Sequence, residues 1–127
     1  IPVLRRLLEK QSDGTIVISN LGDPQLEGDQ LVSGLELLEL ASEPSIYVPL
    51  SGLSMFCEYP YKPLEGLVLD VIRSFGPQRI LWGSNFPVCG DIQSYIQDLQ
   101  MVLSGFWNLQ EKEIKWITNR TAASIWF

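Results

Sequence analysis

No histidine occurs anywhere in the 127 residues. That absence removes Ser-His-Asp and Cys-His relays, an imidazole general base and His-ligated zinc from what the chain can do by itself. Cysteine is scarce as well, and two of them cannot build a Cys₄ zinc site. Basic residues are few: 9 Lys and Arg stand against 15 Asp and Glu, for a net charge of −6. The only adjacent basic pair is Arg5-Arg6. This balance argues against a nucleic-acid surface or an anionic membrane as partner. No apolar run approaches the ~18 residues of a membrane-spanning helix, because Pro, Gly, Asp or Ser interrupts each one. The opening Ile1-Pro2-Val3-Leu4-Arg5-Arg6 has neither an initiator Met nor a basic stretch followed by an apolar one. The expectation is an intracellular protein read as a processed chain or a fragment. Its chemistry must come from carboxylates, amides, hydroxyls, thiols or phenols, or from groups supplied elsewhere.

What is present suffices for a real core. The hydrophobic fraction is 46%, and the length suits one domain. Apolar residues at 1, 3, 4, 7 and 8 predict a first helix, stopped by Gln11-Ser12-Asp13-Gly14. The β-branched run at 15–18 then predicts a strand buried on both faces. Apolar positions 31, 32, 35, 37, 38 and 40 predict a helix over 30–40, with Glu36 and Glu39 on its wet side. A second strand is predicted at 46–50, a helix over 64–75 and a third strand at 79–82. Gly76-Pro77 ends that helix well. Two closing helices are predicted over 92–103 and 111–127.

Strand, polar end and helix thus recur three times. The strand ends fall at Asn20, Ser51 and Asn85, 31 and 34 residues apart, close to the ~30 residues of one βα unit. The fold class expected is α/β, with parallel strands and helices outside. Three strands alone leave open edges, so the pattern looks like part of something larger. Ligands of parallel α/β folds bind at the carboxyl ends of the strands, which selects Asn20, Ser51 and Asn85 as candidates. Two asparagines can orient a carbonyl or carboxylate, although neither is a useful base. The plainer alternative is that all three residues cap turns.

The segments at 15–24 (TIVISNLGDP), 48–53 (VPLSGL), 75–88 (FGPQRILWGSNFPV) and 117–127 (ITNRTAASIWF) occur in this order. Together they resemble the C-terminal part of the amidohydrolase-related, lactonase-like family of metal-dependent TIM-barrel hydrolases. The resemblance covers nearly the whole chain, as strands six to eight of a (β/α)₈ barrel. It implies that residues 1–127 are a partial barrel domain without the N-terminal strands.

The resemblance further implies hydrolysis of lactones or related carboxylic substrates at the strand ends, with decarboxylases in sister branches. It implies a divalent metal such as zinc, helped by a His-x-His pair on strand one; this chain supplies no metal ligand of its own. The strand-six His of the family is matched by Asn20, and the strand-eight Asp that takes a proton from water is matched by Asn85. An aspartate base contributes roughly 10²–10⁴-fold in rate, so Asn85 in the catalytic position disables hydrolysis in its usual form. Asn20, Ser51 and Tyr59 remain substrate-binding candidates, with Tyr61 beside them.

Other residues carry less. Cys57 and Cys89 follow the second and third strands and are read as two thiols in a reducing compartment rather than a redox pair. Glu58 and Asp91 are the nearby carboxylates, both read as solvated. Asn119-Arg120-Thr121 matches a glycosylation sequon inside a predicted helix and is discounted. Two readings follow. One is an amidohydrolase-like protein that is inactive as this chain alone and completed by remaining barrel strands. The other is a non-catalytic half-barrel scaffold or assembly subunit, with self-association or a partner protein covering its edges.

Overall fold

The computed structural model describes residues 2–10 and 13–127; the turn predicted at 11–14 lies partly outside the described residues. Strands β1 (Ile16–Val17), β4 (Ile46–Leu50) and β5 (Ile80–Trp82) form a parallel sheet in the order β1-β4-β5. The register pairs Ile16 with Ile46 and Val48 with Ile80. Paired residues of a parallel sheet share a face. On one face Ile46, Val48, Leu50 and Ile80 are buried in the core. Tyr47 and Pro49, on the other face, are only half-buried. Leu81, which pairs with Pro49 on that second face, is buried at 3% exposure, so burial on both faces is reached at β5 and only partly at β4.

Helix α2 (Glu65–Phe75) buries Leu67, Val68, Val71, Ile72 and Phe75 against the first of these faces. Helix α3 (Ile92–Leu103) contributes Met101 and Val102, and the closing helix contributes Ile117. The closing helix is α4 (Glu111–Lys115) and α5 (Thr121–Trp126), joined by a π-helical turn over Trp116–Arg120. The Thr121 hydroxyl, fully buried, donates to the Pro77 carbonyl at 3.0 Å and ties this helix to the start of β5. Helix α1 (Pro2–Lys10) buries no residue fully, with Leu4 and Leu8 leaning on the core.

The helix expected over 30–40 is absent. In its place stands an antiparallel hairpin, β2 (Gln25–Glu27) and β3 (Gln30–Ser33), followed by a 3-10 helix over Leu35–Ser42. Gly28, at φ 58, makes the tight reversal, and Gly34, at φ 132, ends β3. Leu26 and Leu31 alternate inward in the hairpin, whereas Leu37 and Leu40 are buried three residues apart, as 3-10 geometry requires. The apolar positions were right and their period was not, because two short elements with different periods overlap there.

Arg79 locks the side of the sheet away from the strand ends. Its guanidinium donates to the carbonyls of Ala41 and Glu43, each at 2.7 Å, and its Nε donates to the Phe75 carbonyl at 3.0 Å. These satisfy carbonyls that the ends of the 3-10 helix and of α2 leave without helical partners. The guanidinium also lies over the Phe75 ring, 5.0 Å from its centre.

Asp91 caps α3, accepting the Ser94 N–H and the Ser94 hydroxyl at 3.0 Å each. The backbone bond, then the hydroxyl bond, hold its carboxyl below the ordinary value of 3.8. A carboxyl lowered on folding contributes stability above its unfolded value and loses it as pH falls through the folded one. Asp91→Asn keeps an acceptor at the cap but does not titrate. The melting-temperature advantage of the native chain over this variant is expected to shrink between neutral pH and about pH 3. An advantage independent of pH would remove the charged cap from the account.

Candidate functional site

Backbone strain gathers at the carboxyl end of the sheet. Asn20 (φ 48), Leu21 (φ 53) and Asp23 (φ 61) follow β1, and Asn85 (φ 55) follows β5, all in the left-handed region. Gly22 and Gly52 are left-handed too, where glycine carries no penalty. For a leucine this conformation costs about 1–2 kcal/mol, and such residues concentrate at ligand sites. Leu21 persists there because it is completely buried.

Three strand ends meet here. Ser51, 8% exposed, accepts the Asn20 backbone N–H at 3.3 Å and donates its hydroxyl proton to Asn20 Oδ1 at 3.0 Å. A methyl group on Gly52 would stand 3.0 Å from Asn20 Oδ1 and 3.1 Å from Met55 Sδ, so only glycine admits both neighbours. One on Gly83 would meet Ser51 Cβ at 3.1 Å. Asn85 donates from Nδ2 to Met55 Sδ at 2.9 Å. Asn20, Ser51 and Asn85 therefore gather around Gly52 and Met55. Met55 was not a sequence candidate, and no signal short of its position beyond Ser51-Gly52 marks it.

Tyr59 shares none of these contacts. It is 47% exposed, stands edge-on to Tyr61 at 5.7 Å, and lines a shallow groove with Gln97, Gln100 and Phe106. Tyr61 is the buried partner, at 4% exposure, and its phenol donates to Asp98 Oδ1 of α3 at 2.7 Å. Burial first, and then the Asp98 bond and charge, push the Tyr61 phenol well above its ordinary range. Burial also raises Asp98, against the lowering effect of the tyrosine bond. The pair joins the loop after β4 to α3 beneath the strand ends, where Tyr61 and Asp98 line one small cavity with Ser51 and Gly52.

Cys57 and Cys89 are both half-buried free thiols. Burial, followed by the charge of Asp29, raises the Cys57 thiol, the opposite of what activates a cysteine. Glu58 and Asp91 are exposed, as read from the sequence, and Asn119 lies exposed in the π-helical turn.

The donor set at the strand ends does not suit a resident divalent metal. Two amides and one hydroxyl carry no charge, and zinc favours thiolate, imidazole and carboxylate. Among the described residues no group of three His, Cys, Asp or Glu side chains is placed to hold an ion. What the cluster can do is donate and accept hydrogen bonds toward a small ligand.

No helix among the described residues is long and apolar enough to cross a membrane. No curated protein matches the sequence. Among solved structures, an amidohydrolase from Burkholderia multivorans with bound zinc superposes with a TM-score of 0.78 at 25% identity, over 97% of this chain and 47% of that one. The same protein with bound HEPES gives a TM-score of 0.79, over 97% and 48%. A Pseudomonas putida protein assigned as a 2-pyrone-4,6-dicarboxylic acid hydrolase gives 0.72 at 22% identity, over 98% and 46%, a likeness of fold. The chain thus spans about half the length of the structures it matches, as a partial TIM barrel does. The sequence model of the amidohydrolase family matches residues 1–127, and the chain belongs to that family.

Proposed function

We propose that this chain forms the ligand-binding carboxyl-end portion of an amidohydrolase-type barrel. Its ligand is a small carboxylic acid or lactone, and it does not carry out base-assisted hydrolysis by itself. The single observation behind this reading is the meeting of Asn20, Ser51 and Asn85 at the strained strand ends, without one ionisable group among them. Asn85 holds the position where the family places its proton-accepting Asp, and an amide cannot take that proton. Binding and orienting remain possible, because each amide retains a free hydrogen-bonding atom. Ligands for a metal, and a base, belong to whatever completes the barrel beside β1 and β5, the two strands that edge the sheet.

The test is lactone opening followed by pH-stat on the full chain with δ-valerolactone. The expected rate equals that of buffer, and Asn85→Asp leaves it within about 10-fold, since one carboxylate without an activated water recovers little. Turnover by the native chain that Asn85→Ala abolishes would overturn the reading. The second reading is a scaffold or assembly subunit, with self-association or a partner protein on the sheet edges. The open edges at β1 and β5 favour it. Sedimentation tests the second reading, since a scaffold of this kind associates at micromolar concentration, and the lactone assay tests the first.

A further inference from the structure

Exposed apolar residues are spread unevenly over the helices. Helix α2, which links β4 to β5, exposes no large apolar side chain. Helix α3 exposes Ile92, Ile96 and Leu103, which with half-buried Leu99 stand at i, i+4, i+7 and i+11. That spacing makes a narrow stripe of the kind that seats another helix. Helix α1 exposes Val3 and Leu7. A helix that links parallel strands packs back over their sheet, yet α3 follows β5 and α1 precedes β1, the two strands at the sheet's edges. Each free edge thus comes with an unpartnered helix face. The two faces differ in charge. Arg6 and Lys10, both exposed, share the face of Val3 and Leu7, while Leu4 and Leu8 lean on the core. In a chain of net charge −6, α1 has three cations, Arg5, Arg6 and Lys10, against Glu9 alone. Between Arg79 and Glu111 the only charged residues are Asp91 and Asp98, so α3 offers glutamines, carboxylates and no cation.

We propose that a second copy of this chain covers both faces, with α3 of each copy seated on α1 of the other and the β5 edge of each beside the β1 edge of the other. The proposal rests on the second reading above, that the open edges are covered, and names the occupant and the surfaces. Charge selects this pairing. Two α1 faces set cations against cations, whereas α1 on α3 joins stripe to stripe and brings Arg6 and Lys10 to a surface charged only by carboxylates. A second copy also supplies both missing counterparts at once. Two such contacts related by one two-fold axis use up every free edge, which closes a pair instead of extending a chain of copies. Length agrees: one copy covers 47% and 48% of the two Burkholderia structures, so two copies have nearly the extent of one of them.

Sedimentation equilibrium of the full native chain is expected to give twice the chain mass at micromolar concentration, with no larger species as concentration rises. Ile96→Glu and Leu7→Glu each put a carboxylate into the contact, at positions 40% and 48% exposed in the single chain. Each alone is expected to weaken pairing about 100-fold. Mixed, they are expected to pair about 10-fold or more tighter than either alone, because one contact of the mixed pair then joins an intact α3 to an intact α1. A native chain that stays monomeric at about 100 μM overturns the proposal and the second reading together. Pairing lost in Ile96→Glu but kept in Leu7→Glu shows α3 on α3 and overturns the proposal alone. So does a mixture that pairs no better than its components, or a mass that keeps rising with concentration. Ile96→Gln and Leu7→Gln make the same comparison where a glutamate variant fails to fold.

Discussion

Leu21→Ala is expected to lower the unfolding free energy by about 2–5 kcal/mol, and Leu21→Gly is expected to be no worse. Both remove a completely buried side chain from the core, and a leucine truncated to alanine in such a place costs about 2–5 kcal/mol. The second half of the expectation reverses the ordinary ranking, in which glycine is about 0.5–1 kcal/mol worse than alanine within regular structure. Leu21 sits at φ 53, where any residue with a Cβ is strained. Alanine keeps that strain and loses the packing, whereas glycine loses the packing and releases the strain. The gain from release, about 1–2 kcal/mol, offsets what glycine loses in chain entropy. Urea midpoints for the two variants make the comparison. A glycine variant clearly less stable than the alanine one would mean that Leu21 is not strained in the folded chain.

Removing Arg79 is expected to have the next largest effect. Arg79→Ala should cost about 3 kcal/mol, and Arg79→Lys should recover less than half of it. Hydrogen bonds from a charged donor contribute about 1.5–3 kcal/mol each, but three on one side chain are not additive, and water replaces part of them. The fork geometry is the reason lysine fails. Two nitrogens of one planar group reach the Ala41 and Glu43 carbonyls while a third reaches that of Phe75. An ammonium on a flexible stem cannot hold all three. The cost should appear in thermal or urea unfolding and leave the side-chain amide signals of Asn20 and Asn85 unmoved in the folded protein. Movement of those signals would show that Arg79 shapes the strand ends as well as the opposite side of the sheet.

These two residues bracket what could be read in advance. Arg79 lies in the segment that most resembles the family, yet its work is long-range, on carbonyls 36 and 38 residues earlier in the chain. Nothing adjacent to it in sequence points there. Leu21 reads as an ordinary apolar residue after a strand; its left-handed backbone follows from the sharp turn of Asn20–Gly22 beneath the site. The strand-end candidates fared differently. The rule that parallel sheets bind ligands at carboxyl ends picks Asn20, Ser51 and Asn85, and the fold does bring the three together. Tyr59 fell outside that set because the loop after β4 sends Tyr61 inward to Asp98 and leaves Tyr59 on the surface. The missed hairpin has a related cause: hydrophobic spacing alone does not separate a turn of helix from two short strands when Gly28 and Gly34 allow the chain to reverse.

By itself the sequence determined the α/β class, the helices at α2, α3 and the closing segment, and the absence of any imidazole or carboxylate at the three strand ends. Those properties are local: they depend on apolar period, on stop residues and on side-chain identity. Only the tertiary structure decided that Ser51 holds the Asn20 amide, that Asn85 meets Met55, and that Arg79 holds the far side of the sheet. The reason is that hydrogen-bond direction depends on which partner arrives from a distant part of the chain. Ser51 settles the state of Asn20 from 31 residues away, and no pattern within either segment contains that information.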